Sequence, residues 1–324
     1  NKKNILRYLY NTGKYNIVEL ANGVQWDDPT TKLLPWECRG SGLPPNELQG
    51  LSAEDQRAEG YGRKLVDKAI KEFKPDVYIG MEDIWAFNSF HTKPWWNKIN
   101  TMIWTTLDSL PILPQAIEYA PKIKNYYVWA SFAETAMKEM GYNHVKTLRG
   151  SLDTSKFFRL SDEKRSSLRK SNNLSDEFIV GFVFRNQLRK SVPNMLEGFK
   201  LFKEKEPKAK LLLHTHWSEG WDIPRLIKEK GINPEDILTT YICNKCGVYH
   251  ISPFRGQGLT CASCGTQKSV NTTNTGRGVS DSQLNEIYNL MDVYCHPFTS
   301  GGQEIPIQEA KLTEMITLVT NYSC

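Results

Sequence analysis

The chain has no apolar run long enough to cross a bilayer, which argues against an integral membrane span. It has no recognisable secretory leader, because "NKKNILRYLY" is too short and too polar where a signal-peptide core would lie. No Gly-x-Gly-x-x-Gly follows a strand-like run, and this disfavours a dinucleotide-dependent dehydrogenase. Blocks of one charge sign are also missing. The formal net charge is +5, with basic and acidic residues interspersed, a balance that permits a polyanionic partner without demanding one. There is no short-period repeat and no low-complexity tract. What is present, 40% hydrophobic and 24% charged residues in a chain of 324, is the composition of a soluble globular protein with room for two domains, each with its own core.

Cysteine is scarce, seven in all, yet four fall in two tight pairs within "CNKCGVYHISPFRGQGLTCASCG". Cys243 with Cys246, and Cys261 with Cys264, form two Cys-x-x-Cys knuckles, each followed by glycine. That spacing lets four thiolates surround a tetrahedral zinc. In a chain without a secretory signal, metal ligation takes precedence over disulfides and a cytoplasmic, reducing setting follows. Four thiolates leave no open coordination position, so the zinc is expected to be structural. His250 is a competing ligand or simply polar surface. Residues 241–268 thus read as a zinc-ribbon insertion that stiffens a loop, docks a partner or covers a site.

Strands and helices alternate along the chain. "KKNILRYLY" reads as a first strand, meeting the strand "YNIVEL" with almost no room for a helix between. "EDQRAEGYGRKLVDKAIKEF" reads as one helix, "PDVYIG" as a buried strand, "INTMIWTT" and "NYYVWAS" as further strands, and "ETAMKEMG" as a short helix. "HVKTLRGSLDTSKFFRLSDEKRSSLRK" passes from a strand into a polar segment without a strong core face, the candidate linker. The rhythm then restarts: "EFIVGFVF", "KAKLLLHT" and "DILTTYI" as strands, "PNMLEGFKLFKEK" and "IPRLIKEKG" as helices. "SDSQLNEIYNLM" opens with an Asp that can cap a helix. The strands "DVYCHP" and "ITLVTN" flank the helix "IPIQEAKLTEM". The last strand is expected to be buried, so more chain is expected beyond it. Such alternation predicts an α/β protein of two doubly wound, Rossmann-like domains, residues 1–150 and 151–324.

The stretch "SGGQEIPIQEAK", residues 300–311, delivers the chain from a strand to a helix at the carboxyl edge of a parallel sheet, where ligands bind in doubly wound folds. Gly301 and Gly302, with Gln303, let the backbone approach a ligand, and the amides ahead of the helix suit a diphosphate. Glu309, inside the helix, either hydrogen-bonds a sugar hydroxyl or faces solvent. Arg185 and Lys190, after "EFIVGFVF", are a phosphate clamp or solvated loop charges.

These residues resemble the nucleotide-binding domain of the GT-B glycosyltransferases, in particular the retaining family 4 group. "HPFTSGGQEIPIQEA" matches that group's turn in its Ser, second Gly, Pro and Glu-Ala. The resemblance places the group's second glutamate, which holds the donor ribose, on Glu309. Its first glutamate, which faces the transferred sugar, falls on Gly301, with Glu304 three residues later as a candidate substitute. Arg185 and Lys190 occupy the places of the cations that neutralise the donor diphosphate, with Phe184 replacing the usual glycine. "GSLDTSKFFRLS" resembles the group's interdomain segment, and "SDSQLNEIYNLMDVYCHP" its helix and strand before the glutamate turn. Likeness covers most of residues 144–324 and is weaker before them.

What the resemblance implies is transfer of a sugar from a nucleotide-sugar donor, such as a UDP- or GDP-sugar, with retention and without a catalytic metal. The acceptor is implied to enter from the first domain, where Asp83 and Asp108 are acidic candidates beside Glu304 for catalysis; each also reads as a turn or capping residue. His91 is a further polar candidate. The aromatic run "DIWAFNSFHTKPWWNKI" either stacks on sugar rings or bases or packs the core. A modified nucleic-acid base, as in phage-type DNA-modifying enzymes, is one acceptor class; a saccharide, lipid-linked or protein acceptor is another. Two alternatives stay open: a non-catalytic GT-B-like scaffold, and a nucleotide-sugar epimerase of the same fold.

Overall fold

The computed structural model describes residues 2–274 and 276–323. The chain divides into two compact units. One comprises residues up to Ser151 together with Gly301–Gln303 and Ser323; the other comprises Leu152–Ser300 and Glu304–Tyr322.

In the first unit, helix α1 (Lys2–Asn11) is followed by the parallel pair β1 (Val18–Gln25) and β2 (Glu37–Gly42), then α2 (Pro45–Leu48), α3 (Ala53–Gly60) and α4 (Leu65–Phe73). A four-stranded parallel sheet follows in sequence order: β3 (Val77–Met81), β4 (Asn100–Thr105), β5 (Asn125–Val128) and β6 (Lys146–Thr147), with α5 (Pro114–Tyr119) and α6 (Ser131–Glu139) in its connections.

Several details differ from the sequence reading. The opening residues are helical, because Ile5, Leu6 and Leu9, all half-buried, recur at helical spacing instead of alternating. The long helix expected over residues 54–73 is broken in two. Glu59 at the break is fully buried and its carboxylate accepts from Lys64 N–H at 3.1 Å and Arg63 Nε at 2.9 Å, satisfying the groups that the interruption exposes. Strand β3 is an edge strand with Val77 and Ile79 about half exposed, so it is buried on one face only. The aromatic run packs inward: Phe87, Phe90, Trp95 and Trp96 belong to the core of this unit, with Trp95 Nε1 donating to Asp67 at 2.6 Å and Trp96 Nε1 to Lys122 O at 3.0 Å.

The second unit begins with α7 (Asp162–Ser171), inside the segment read as a linker. This helix buries no residue completely. Arg165 and Arg169, one turn apart, tie it down instead, reaching the carbonyls of residues 289–291 and the carboxylate of Asp292 at 2.7–3.1 Å. Then come β7 (Phe178–Val183), α8 (Val192–Lys205), β8 (Ala209–His214), α9 (Ile223–Glu229), β9 (Ile237–Cys243), β10 (Tyr249–Pro253), β11 (Val270–Thr272), α10 (Asp281–Leu290), β12 (Val293–His296), α11 (Ile305–Leu312) and β13 (Ile316–Val319). Helix α8 shows the amphipathic logic: Val192, Met195, Leu196 and Phe199 are buried at helical spacing. The cap of α10 is Ser280, not Asp281, which is the first helical residue. Ser280 Oγ accepts from Gln283 N–H while the Gln283 side chain accepts from Ser280 N–H.

Strands β9, β8, β7, β12 and β13 lie in that order and run parallel. Glycine is required at Gly181, where β7 passes β12: a Cβ there would stand 2.0 Å from Met291 Sδ. Strand β13 pairs with β12 and, among the described residues, leaves Ile316 and Leu318 exposed, contrary to the burial expected of it. The cysteine segment does not hang from the sheet as a separate loop. Strand β10 pairs antiparallel along β9, and β11 pairs antiparallel with Tyr241–Cys243 at the carboxyl end of β9, beyond the residues that β8 uses.

Candidate functional site

Strand β7 is the first of its sheet in sequence yet lies between β8 and β12; the connection from β7 leads to β8 on one side and that from β12 to β13 on the other, in opposite directions. A crevice opens outside the carboxyl ends of two such strands, and this is where doubly wound sheets bind ligands. The segments that leave β7 and β12 are laced together there. Thr299 N–H donates to Arg189 O at 2.8 Å, and Arg189 Nη1 donates to Ser300 O at 2.7 Å.

A buried ionic cluster fills this position. Glu304 Oε1 accepts from Arg189 Nη1 at 2.8 Å and Glu304 Oε2 pairs with Lys190 Nζ at 2.5 Å. Lys190 is 3% exposed and Glu304 8%. Burial pushes the Glu304 carboxyl up, but the His296 side chain and the Lys190 charge outweigh it and hold its pKa well below the usual carboxylate range. Glu304 is therefore ionised. His296 Nε2 lies 3.3 Å from Glu304 Oε2, and its Nδ1 is 2.6 Å from the Tyr294 hydroxyl. Burial lowers the His296 pKa, with the carboxylate pulling the other way, so the ring is neutral at pH 7. One carboxylate thus faces two cations, and the cluster keeps a net positive charge.

Glu309 lies on α11, where its Oε2 accepts from the Tyr288 hydroxyl at 2.8 Å. Burial raises the Glu309 pKa, and the Tyr288 bond partly offsets that. It is a half-buried acid held by its neighbour rather than a solvated one. Arg185 takes a different direction from Lys190: its Nη2 and Nε reach Glu219 Oε1 at 2.6 and 2.9 Å in an exposed pair. Arg189, His296, Tyr288 and Tyr294 were not picked out from the sequence. Adjacent Arg-Lys before a helix, and the Tyr-x-His alternation in β12, were the available signals.

Within the first unit, Gln303 binds the backbone of Gly150 at both ends, accepting from N–H at 2.8 Å and donating to O at 3.0 Å. Gly301 N–H donates to Asp108 O at 2.7 Å. A Cβ on Gly302 would meet Thr106 Cβ at 2.7 Å and Asp108 Oδ1 at 2.8 Å, so protein packing already demands glycine there. Thr106 Oγ1 donates to Asp83 Oδ1 at 2.5 Å, which brings Asp83, Thr106 and Asp108 to one place at the carboxyl side of β3 and β4. Asp83 makes no capping bond with its side chain. His91 is set against Tyr119, with ring centroids 5.3 Å apart.

The four knuckle cysteines come together. Their sulfurs all lie within 4.8 Å of one another, with Cys243 to Cys264 and Cys246 to Cys261 at 3.7 Å. Four thiolates about 2.3 Å from a tetrahedral zinc stand about 3.8 Å apart, so the group has the dimensions of such a site. Lys245 N–H points at Cys243 Sγ at 3.4 Å. His250 stacks on Tyr241 and is not one of the clustered side chains.

No protein-family model and no curated protein sequence matches the chain. Solved structures do match its fold. Sucrose-phosphate synthase from Thermosynechococcus elongatus gives a TM-score of 0.67 at 12% identity, over 99% of this chain and 76% of that one. HepE from Anabaena in complex with UDP gives 0.61 at 13% identity, over 95% and 81%. A glycosyltransferase from Rickettsia africae gives 0.57 at 13%, over 95% and 80%. At such identities the common property is the fold, mixed α/β with parallel sheets as in the GT-B glycosyltransferases, and the fold class expected from the sequence is borne out. No helix among the described residues is long and apolar enough to cross a membrane.

Proposed function

We propose that this protein is a glycosyltransferase whose second unit binds a nucleotide-sugar donor at the carboxyl ends of β7 and β12. The observation that carries the proposal is the pair of cations, buried Lys190 and partly exposed Arg189, at the topological switch point, in front of α11. A departing nucleoside diphosphate gathers negative charge as the anomeric C–O bond breaks, and two fixed cations in a water-poor site stabilise it. Glu309, braced by Tyr288, offers its other carboxylate oxygen to the donor ribose. Arg185 supplements the clamp on leaving Glu219. A uridine nucleotide is the first donor to try, since HepE is known in complex with UDP and with UDP-glucose.

Retention of configuration is part of the proposal and rests on the likeness of the glutamate turn. Asp83 and Asp108 are the candidate acids of the first unit. Trp95 and Trp96 are buried and their indole N–H groups are bonded internally, so neither is a stacking platform for a base; a modified nucleic-acid base, a saccharide, a lipid-linked and a protein acceptor are the classes to compare. We infer also that the cysteine group holds zinc, on the match of its sulfur separations to a tetrahedral thiolate site. Bound there, zinc would supply a structural cross-link, with no open position for chemistry.

The test is to incubate the protein with UDP- and GDP-sugars and follow release of the nucleoside diphosphate, alone and with acceptor pools. Slow release without acceptor, accelerated by one pool, is the expected result. Interconversion of the free nucleotide sugar without release would identify an epimerase, and no turnover of any sugar would favour a binding scaffold.

A further inference from the structure

The cysteine ribbon is tied to α10, the helix whose Tyr288 hydrogen-bonds Glu309 of α11. Gln283 on α10 donates from Nε2 to Gly247 O at 2.9 Å, and Gly247 directly follows the ligand-type residue Cys246. One turn along the same helix, Glu286 Oε2 accepts from the hydroxyl of Tyr249, the first residue of β10, at 2.7 Å. Further along still, Tyr288 donates to Glu309 Oε2 at 2.8 Å and reaches Pro306 O at 3.3 Å. Apolar packing runs beside these bonds. Ile251 of β10, Ile287 and Leu290 of α10, and Ile307 and Ala310 of α11 belong to one core cluster.

We propose that the ribbon, with its cysteines holding a metal ion, sets the position of α10 and through Tyr288 that of Glu309, so that metal binding and nucleotide binding are coupled. The inference rests on the reading of Glu309 as the ribose ligand. Gln283, Tyr249 and Glu286 are positioning residues, since each acts through the helix and none belongs to the thiolate group or the donor site. The helix is a rigid element contacted at one end by the knuckle and at the other by α11, which is the physical connection that coupling needs. Linkage is reciprocal: whatever factor the metal adds to nucleotide affinity, the nucleotide adds to metal affinity.

The combined variant Gln283→Glu with Tyr249→Phe cuts both hydrogen bonds between ribbon and helix. Glutamate keeps an acceptor for Ser280 N–H in the capping box but has no donor for Gly247 O; phenylalanine keeps the ring and loses the hydroxyl. Metal content, hydrogen exchange and affinity for UDP are measured on the metal-loaded protein. The inference predicts an unchanged metal content, faster exchange in α10 and α11 with β7 and β8 unaltered, and UDP affinity lower by about fivefold. In the natural protein UDP slows loss of the metal to a chelator; in the variant it does not. Unchanged exchange in α11, or unchanged UDP affinity, overturns the coupling while leaving the donor site intact. If the natural protein binds no nucleoside diphosphate, the donor reading fails and the coupling to nucleotide with it. Tyr249→Phe alone repeats the test should the combined variant be unstable.

Discussion

Replacing Glu304 by glutamine removes one charge while nearly preserving shape. In the natural protein that charge lies 2.5 Å from Lys190 Nζ and 2.8 Å from Arg189 Nη1, and Lys190, 3% exposed, has no solvent to replace it. Breaking a buried ion pair by removing one partner costs about 3–5 kcal/mol. The glutamine carbonyl still accepts a hydrogen bond, and the Arg189 side chain is 32% exposed, so the lower end, about 3 kcal/mol, is expected. For a domain of this size the loss lowers Tm by roughly 6–12 °C. A bound diphosphate returns the missing charge: the variant should bind it more tightly than the natural protein does, and ligand at a hundred times its Kd restores about 2.7 kcal/mol. Thermal unfolding of both proteins, with and without UDP, reads out each part. Because the Glu304 pKa is depressed in the folded protein, its contribution is present above the unfolded carboxylate value of about 4.3 and is lost as pH falls towards the folded value. The gap between the two proteins should therefore shrink in acid. A variant that melts within about 1 °C of the natural protein at pH 7, or that gains no more from UDP, refutes the reasoning.

Gly181→Ala forces a methyl against Met291, which is itself buried, and should lower stability by about 1–3 kcal/mol in urea unfolding at unchanged m-value. Arg185→Ala removes an exposed ion pair and should change stability by less than about 1 kcal/mol, so any weakening of UDP binding reports on the site alone. Tyr288→Phe removes the hydrogen bond that partly offsets the burial-raised pKa of Glu309. The carboxyl should then ionise at higher pH still, and the pH midpoint of UDP binding should move upward.

The alternation of strands and helices in the second unit was legible because its strands are short apolar runs, buried on both faces, and α8 has a clear helical stripe. Strands β3 and β13, at edges of their sheets among the described residues, have similar apolar content, and nothing local distinguishes an edge from a centre. Helix α7 escaped as a core element because two arginines, not apolar residues, hold it. The cysteine group was readable in full, since two-residue spacing dictates the knuckle. Lys190 and Glu304 were both visible as candidates. Their pairing was not, because it depends on two loops meeting across the switch point, and the same meeting brings in Arg189 while leaving Arg185 with Glu219. Gln303, Gly301 and Gly302 looked like ligand contacts for their residue type, whereas backbone hydrogen bonds and close packing already engage them.

The most direct test of the donor site is a calorimetric titration of UDP and GDP into the folded, metal-loaded protein and into Lys190→Ala. The account predicts one saturable site in the natural protein for one of the two nucleotides, with affinity lowered by on the order of tenfold or more in the variant, as expected for loss of a charge-assisted contact to phosphate. Absence of binding by the natural protein, or equal affinity in the two proteins, would contradict it.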